Sequence, residues 1–412
     1  MEKNSLEIQD TNIELKGLPS SEDAPLVFMP RFKQPLSGII ALVVVLIISI
    51  ITWYLLFDPR LHDPHLVHYA SLIGGFGLVG VVYAIWFENW PYYERFKKPW
   101  MIGLVGTLIN IAIALIFTFI LLPLFNMFYG PSVENPDPFL SWYIGASIFG
   151  SLSGSTFSFG VLFVAGTMYW PFFKFKQPKR GIIVWVIGTI IGIIVWFILF
   201  FPAGNPTAPT EADVVYRQYA YSLGWTQWLI FFSLLTQLVF EYWPWKSLAI
   251  KQPYMGILCF FVCTIMGFIV SLVFPYLVQY IIDPIFLLAG GDPKIDIDFG
   301  LTQFKGWYVM SISYAIFLIL AIVMVSLFFD NWPKRFSQGK NLIFRFLLVI
   351  GLGTVLFFAY YFLAPYLFGD PIGGEPNEYW NINPTPFLLW FLWIELLYSY
   401  VWKNWPIYKV YR

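Results

Sequence analysis

Long apolar runs alternate with short polar, proline-bearing segments along the whole chain. The pattern predicts helices over 36–57, 69–87, 100–123, 141–168, 181–202, 222–240, 255–282, 307–329, 342–364 and 386–402. Runs such as Leu36–Phe57 and Gly181–Phe201 go about 20 residues without a charge, long enough to cross roughly 30 Å of hydrocarbon. A soluble protein can bury one such helix but hardly ten. The expected fold is therefore an all-α integral membrane protein of about ten transmembrane helices.

The polar segments repeat. Arg31-Phe-Lys-Gln-Pro35, Arg95-Phe-Lys-Lys-Pro99, Lys174-Phe-Lys-Gln-Pro178, Ala249-Ile-Lys-Gln-Pro253 and a decayed Arg335-Phe-Ser-Gln-Gly339 each precede an odd-numbered helix. Every even-numbered helix ends on Trp-Pro, at Trp90-Pro91, Trp170-Pro171, Trp243-Pro244, Trp332-Pro333 and Trp405-Pro406. Ordered matches at both ends of each unit mark an internal repeat. Proline in the first motif suits a helix's first turn, where its missing N–H would be unpaired anyway. Proline after tryptophan stops a helix. The units expected are a polar tail over 1–30 and five hairpins over 31–94, 95–173, 174–248, 249–334 and 335–412, all running in the same direction. Short connections make successive units neighbours, but whether the five close into a ring or simply bundle is open.

Composition agrees with the membrane reading. Hydrophobic residues make up 58%, charged residues only 12%, and mean hydropathy is +0.69. A soluble domain carries about twice that charged fraction. Net charge is zero, so bulk charge selects no partner. Its distribution is more telling: all of the 24 Lys and Arg except Arg60, Arg217, Lys294 and Lys305 fall on the tail, the motif-bearing loops or the C-terminus. The positive-inside rule places these, and both termini, in the cytoplasm. Trp and Lys/Arg in the repeated motifs fit anchoring at the headgroups; a basic vestibule for an anionic solute is the alternative. The first 30 residues are acid-rich and read as a tail rather than a signal peptide. Cys259 and Cys263 lie at i, i+4 in the seventh span, near the limit of disulfide geometry, and read as packing residues.

Absences narrow the chemistry. No lysine sits mid-helix for a retinal Schiff base, no pair of histidines lies in the bilayer for haem, and no phosphate-binding loop is present. One ionisable residue falls near mid-membrane: Glu395, ending the run Leu388-Leu-Trp-Phe-Leu-Trp-Ile394. A charge at a helix centre costs about 2.5–3.5 kcal/mol on insertion scales and by default marks function. With Phe391, Trp393 and Tyr398 beside it, Glu395 would suit a small organic cation through charge pairing and cation–π attraction, or a proton that couples solute movement. A protonated Glu hydrogen-bonded to Tyr, Ser or Gln of a neighbouring helix is the structural alternative.

Three further features are weaker. His62, His65 and His68, all the histidines of the chain, sit in the first outer loop where they and Asp58 could hold Zn or Cu. No other cofactor is expected. Glu88, Glu241 and Asp330 occupy one repeat position before Trp-Pro, as an acidic collar or as partners of nearby Arg and Lys. Asp292, Asp296 and Asp298 resemble a calcium run but lack the register of an EF-hand loop. Glycines such as Gly74, Gly77, Gly150, Gly154 and Gly160 indicate close helix packing.

The function expected is a permease or channel-like plasma-membrane transporter of a small solute, an amine or other organic cation, rather than an enzyme. The alternatives are an anchoring subunit of a larger membrane complex and a membrane enzyme with an extracytoplasmic His metal site. Expected partners are the lipid bilayer and a small-molecule solute, not nucleic acid, with copies of itself or other membrane subunits beyond these.

Overall fold

The computed structural model describes residues 27–58, 60–62, 66–81, 85–88, 90, 96, 98–121, 152, 154–200, 224–288, 303–368 and 385–411. Within them the chain is almost wholly helical: α1 (Leu36–Phe57), α2 (Leu66–Gly80), α3 (Pro99–Ile116), α4 (Gly154–Gly166), α5 (Lys179–Val195), α6 (Gly224–Leu234), α7 (Tyr254–Leu288), α8 (Gln303–Val323), α9 (Gln338–Phe368) and α10 (Thr385–Leu396). Wider π-helical turns end α4 and extend α6, α8 and α10, over Leu162–Gly166, Leu235–Val239, Met324–Phe328 and Leu397–Val401. β1 (Val27–Pro30) pairs antiparallel with β2 (Tyr408–Tyr411), joining the two ends of the described chain.

Among the described residues, six helices are long and apolar enough to cross a membrane: α1, α3, α5, α7, α8 and α9. They divide sharply by burial. In α8 89% of the apolar window is inside the protein, against 22–33% in the other five. The others present Ile39, Val43, Ile47, Leu104, Leu108 and Ile190 to the outside. Contiguous apolar surface on this scale is not met in soluble monomers. It is the natural outer face of a protein solvated by lipid, where helices gain nothing by hiding leucine and isoleucine. The chain is an all-α, multi-pass membrane protein.

The buried helices pack against one another. The last turn of α4 lies on α6, α6 on α8, α8 on α10, and α10 runs along α2. Trp86, just past α2, meets Phe157 of α4 with ring centroids 6.1 Å apart. The exposed helices lie outside: α1 on α10 and the end of α8, α3 on α2 and the end of α10, α7 on α6 and the end of α4. One continuous apolar cluster includes Val81, Val161, Leu235, Val323 and Leu396, so the interior is filled by side chains from every buried helix.

The Trp-Pro ends explain how the helices are joined. Before Trp170, Trp243, Trp332 and Trp405 the helix widens, and two successive residues take left-handed backbone angles, for example Glu241 (φ 50°) with Tyr242 (φ 64°) and Asp330 (φ 51°) with Asn331 (φ 52°). The Trp-Pro bonds at these four sites are cis, as are Gln34-Pro35, Gln177-Pro178 and Gln252-Pro253. In α8 this ending sends Phe329 N–H to Met324 O and Asn331 N–H to Val325 O. The Leu327 carbonyl, which Asn331 would serve in an ordinary α-helix, loses that donor. Asn404 Nδ2 of the following buried helix supplies it at 2.9 Å. Asn331 does the same for Leu238 O at 2.9 Å, Tyr242 for Ala165 O and Tyr169 for Ile85 O, both at 2.8 Å. Asn and Tyr alternate at this position because either can deliver an N–H or O–H donor to a helix-end carbonyl.

The glutamine of the opening motif has a matching task. Gln177 Oε1 accepts from Gly181 N in the first turn of α5, while Nε2 donates to Trp86 O at 3.0 Å. Gln34 and Gln252 repeat this, serving Gly38 N with Phe328 O and Gly256 N with Thr167 O. Gln177→Leu removes both bonds and is expected to cost about 1–2 kcal/mol. A lowered thermal midpoint in detergent, with unchanged helix content, is the result to look for.

Candidate functional site

Glu395 lies in α10 one turn before its π-helical end, and its side chain is fully buried. Among the described residues neither carboxyl oxygen has a hydrogen-bond partner. The helices around α10 offer no countercharge within their described apolar stretches. α1 and α3 carry no charged residue over Leu36–Phe57 and Pro99–Ile116, and α8 carries none from Met310 to Phe328. α2 carries His68 alone, in its first turn.

The predicted aromatic neighbours are present but engaged elsewhere. Trp393 Nε1 donates to Asn110 Oδ1 of α3 at 2.9 Å, and its indole fills the space left by Gly77 of α2. Tyr398 OH donates to Asn404 O at 3.0 Å, its ring edge-on to Phe328 of α8 at 5.8 Å. Phe391 is buried and stacks on Phe387 at 6.0 Å. Ser399 Oγ donates to the Glu395 backbone carbonyl at 2.8 Å, not to its carboxyl group. The hydrogen bond from a neighbouring Tyr, Ser or Gln that would make Glu395 purely structural is absent among the described residues. Asn110, buried between Gly80 and Trp393, is a polar residue that sequence reasoning passed over. An asparagine alone in an apolar span was the available signal.

The acids at the Trp-Pro ends are ion-paired. Arg180 binds Glu88 at 2.5 Å, Arg345 binds Glu241 at 2.8 Å and Lys334 binds Asp330 at 2.8 Å. Glu88, Glu241 and Asp330 are about half exposed, where such pairs contribute at most about 1 kcal/mol. At the same position in the last unit, half-buried Lys403 has its amine pushed down to about 8 by burial, with Glu88 acting in the opposite sense.

Between α1 and α2, Asp58 is buried and gives both oxygens to Arg60, at 2.8 and 2.6 Å. His62 Nε2 is 2.7 Å from Leu55 O. His65 and the side chain of His68 lie outside the described residues, as do Asp292, Asp296 and Asp298. Among the described residues no three His, Cys, Asp or Glu side chains gather as a metal site. Cys259 and Cys263 are buried thiols, not a disulfide.

No protein family, curated protein or solved structure matches this chain.

Proposed function

We propose that the protein is a multi-pass permease or channel-like transporter of the plasma membrane, and that it moves a small cationic solute bound at Glu395. The observation carrying this reading is a fully buried carboxyl group with no hydrogen-bond partner among the described residues, inside an apolar helix bundle. An ionised carboxylate so placed is costly unless a cation accompanies it. A purely structural helix would gain by replacing it. The rings of Trp393, Tyr398 and Phe391 pack against Gly77 and Trp390, Phe328 and Phe387, so they are taken up by protein contacts rather than arranged as a cage for a bulky cation. A proton or small inorganic cation therefore suits it better than a bulky amine. The continuous apolar core favours a carrier that repacks α10 over an open axial pore. In this reading the chain makes ten spans as five parallel hairpins, with both termini cytoplasmic.

Reconstitution in liposomes under an imposed potential tests it, with proton, sodium, potassium and methylammonium fluxes each read separately. Glu395→Gln is expected to reduce the flux of the transported cation at least tenfold. Equal flux in both proteins would overturn the role of Glu395.

A second reading, an anchoring subunit of a larger membrane complex, draws on that same filled interior. Stable co-purification of other subunits, without any cation flux, would support it.

A further inference from the structure

We infer that the five hairpins form one closed ring in which four joints are covalent linkers and the fifth is made by the paired tails of the chain. The inference is independent of the transport reading.

The contacts follow one rule. The residue before Trp-Pro donates to the end of the preceding buried helix: Tyr169 to Ile85 O, Tyr242 to Ala165 O, Asn331 to Leu238 O and Asn404 to Leu327 O. The glutamine of the following opening motif reaches the same helix end. Gln177, which follows α4, donates to Trp86 O beyond α2; Gln252, which follows α6, donates to Thr167 O beyond α4. Gln34 opens α1 and follows no helix among the described residues, yet its Nε2 donates to Phe328 O at the end of α8. That is the bond it would make if α1 came directly after α10. Packing agrees, because α1 lies on α10 and the end of α8, as α7 lies on α6 and the end of α4. The circle closes where α10 lies along α2, with a Cβ on Gly74 falling only 2.9 Å from Trp390 N.

Inside the chain, the polypeptide itself runs from each Trp-Pro to the next opening motif, as from Pro171 to Gln177 and from Pro244 to Gln252. Pro406 and Gln34 lie near opposite ends of the described chain, and there the β-ribbon makes the joint. Val27, Phe28, Met29 and Pro30 pair with Tyr411, Val410, Lys409 and Tyr408, and Arg31 N donates to Ile407 O at 3.0 Å. Tyr408 OH donates to Phe328 O at 2.9 Å and accepts from Gln34 Nε2 at 3.0 Å, so the ribbon, α1 and α8 share one hydrogen-bond cluster. Two short strands alone are marginal in water. Here they are held by the helices on either side, and they tie those helices together in return.

Met29 and Lys409 are exposed and directly opposed in the ribbon, and opposed antiparallel residues have the Cα separation a disulfide needs. The test is the double variant Met29→Cys with Lys409→Cys, carrying a protease site at the exposed Ser247-Leu248 linker. It is oxidised in native membranes, cleaved and run without reductant, with each single cysteine variant as control. Halves that stay together only in the double variant, with a thermal midpoint raised by several degrees, are the expected result. Halves that separate after oxidation, or a bond that forms without raising the midpoint, would overturn the closing role of the ribbon.

Discussion

Gly192→Leu is expected to prevent stable folding, at a cost above about 3 kcal/mol. Where α5 crosses α4, a Cβ on Gly192 would lie 2.6 Å from Thr156 Cα and 2.8 Å from Thr156 N. Those neighbours are backbone, so no rotamer change relieves the clash, and the helices must separate. Separation would also break the bond from Ser155 Oγ to Gly192 O, 3.0 Å long and buried. Overpacking a core typically costs about 1–3 kcal/mol when side chains can yield; a backbone contact belongs above that range. Membrane helices rely on such small-residue contacts because lipid supplies no hydrophobic drive for their association. The matched control is Gly351→Leu, at a position where an added Cβ meets nothing within 4 Å. Yield of monodisperse protein after detergent extraction, with its thermal midpoint, distinguishes the two. Equal yield and midpoint for both variants would mean that α4 and α5 do not approach this closely.

Much of this architecture could be read from residue order, and the rest depends on partners distant along the chain. The apolar runs place the helices because a bilayer rewards unbroken apolar length regardless of neighbours. The Trp-Pro and Gln-Pro motifs mark helix ends for local reasons of proline geometry. What they do for one another was not legible. Gln177 serves Trp86 two units back, and Asn404 serves Leu327 in the unit before; residue order makes successive units neighbours but does not say which atoms meet. The retained glutamine at 34, 177, 252 and 338 was the available hint, since proline alone would open a helix equally well. The aromatic surroundings of Glu395 illustrate the same limit. Helical spacing puts Trp393 and Tyr398 near it, but Asn110 and the backbone of Asn404 decide where their polar atoms point. Glu395 itself stood out because a lone acid in an apolar span is costly wherever its neighbours lie. The outer His cluster remains only partly visible, with His62 and Asp58 directed to other partners.

Glu395→Met is expected to stabilise the protein while abolishing transport, and that opposition of sign separates a working acid from a structural one. In the native protein the carboxyl is buried without a hydrogen-bond partner among the described residues. An unsatisfied buried polar group costs about 1–3 kcal/mol, and methionine keeps a similar chain length without polar oxygens. The gain should reach about 1–3 kcal/mol, raising the thermal midpoint by at least a few degrees. Sites kept at the expense of stability are those where function needs the strain. A structural Glu395, held by bonds to its surroundings, would behave in the opposite way, because its removal would leave those partners unsatisfied. Thermal unfolding of wild type, Glu395→Gln and Glu395→Met in one detergent, beside flux through each in liposomes, provides both readouts. A methionine variant that is less stable than wild type would contradict the unpartnered geometry. One that is more stable and still transports would remove Glu395 from the mechanism.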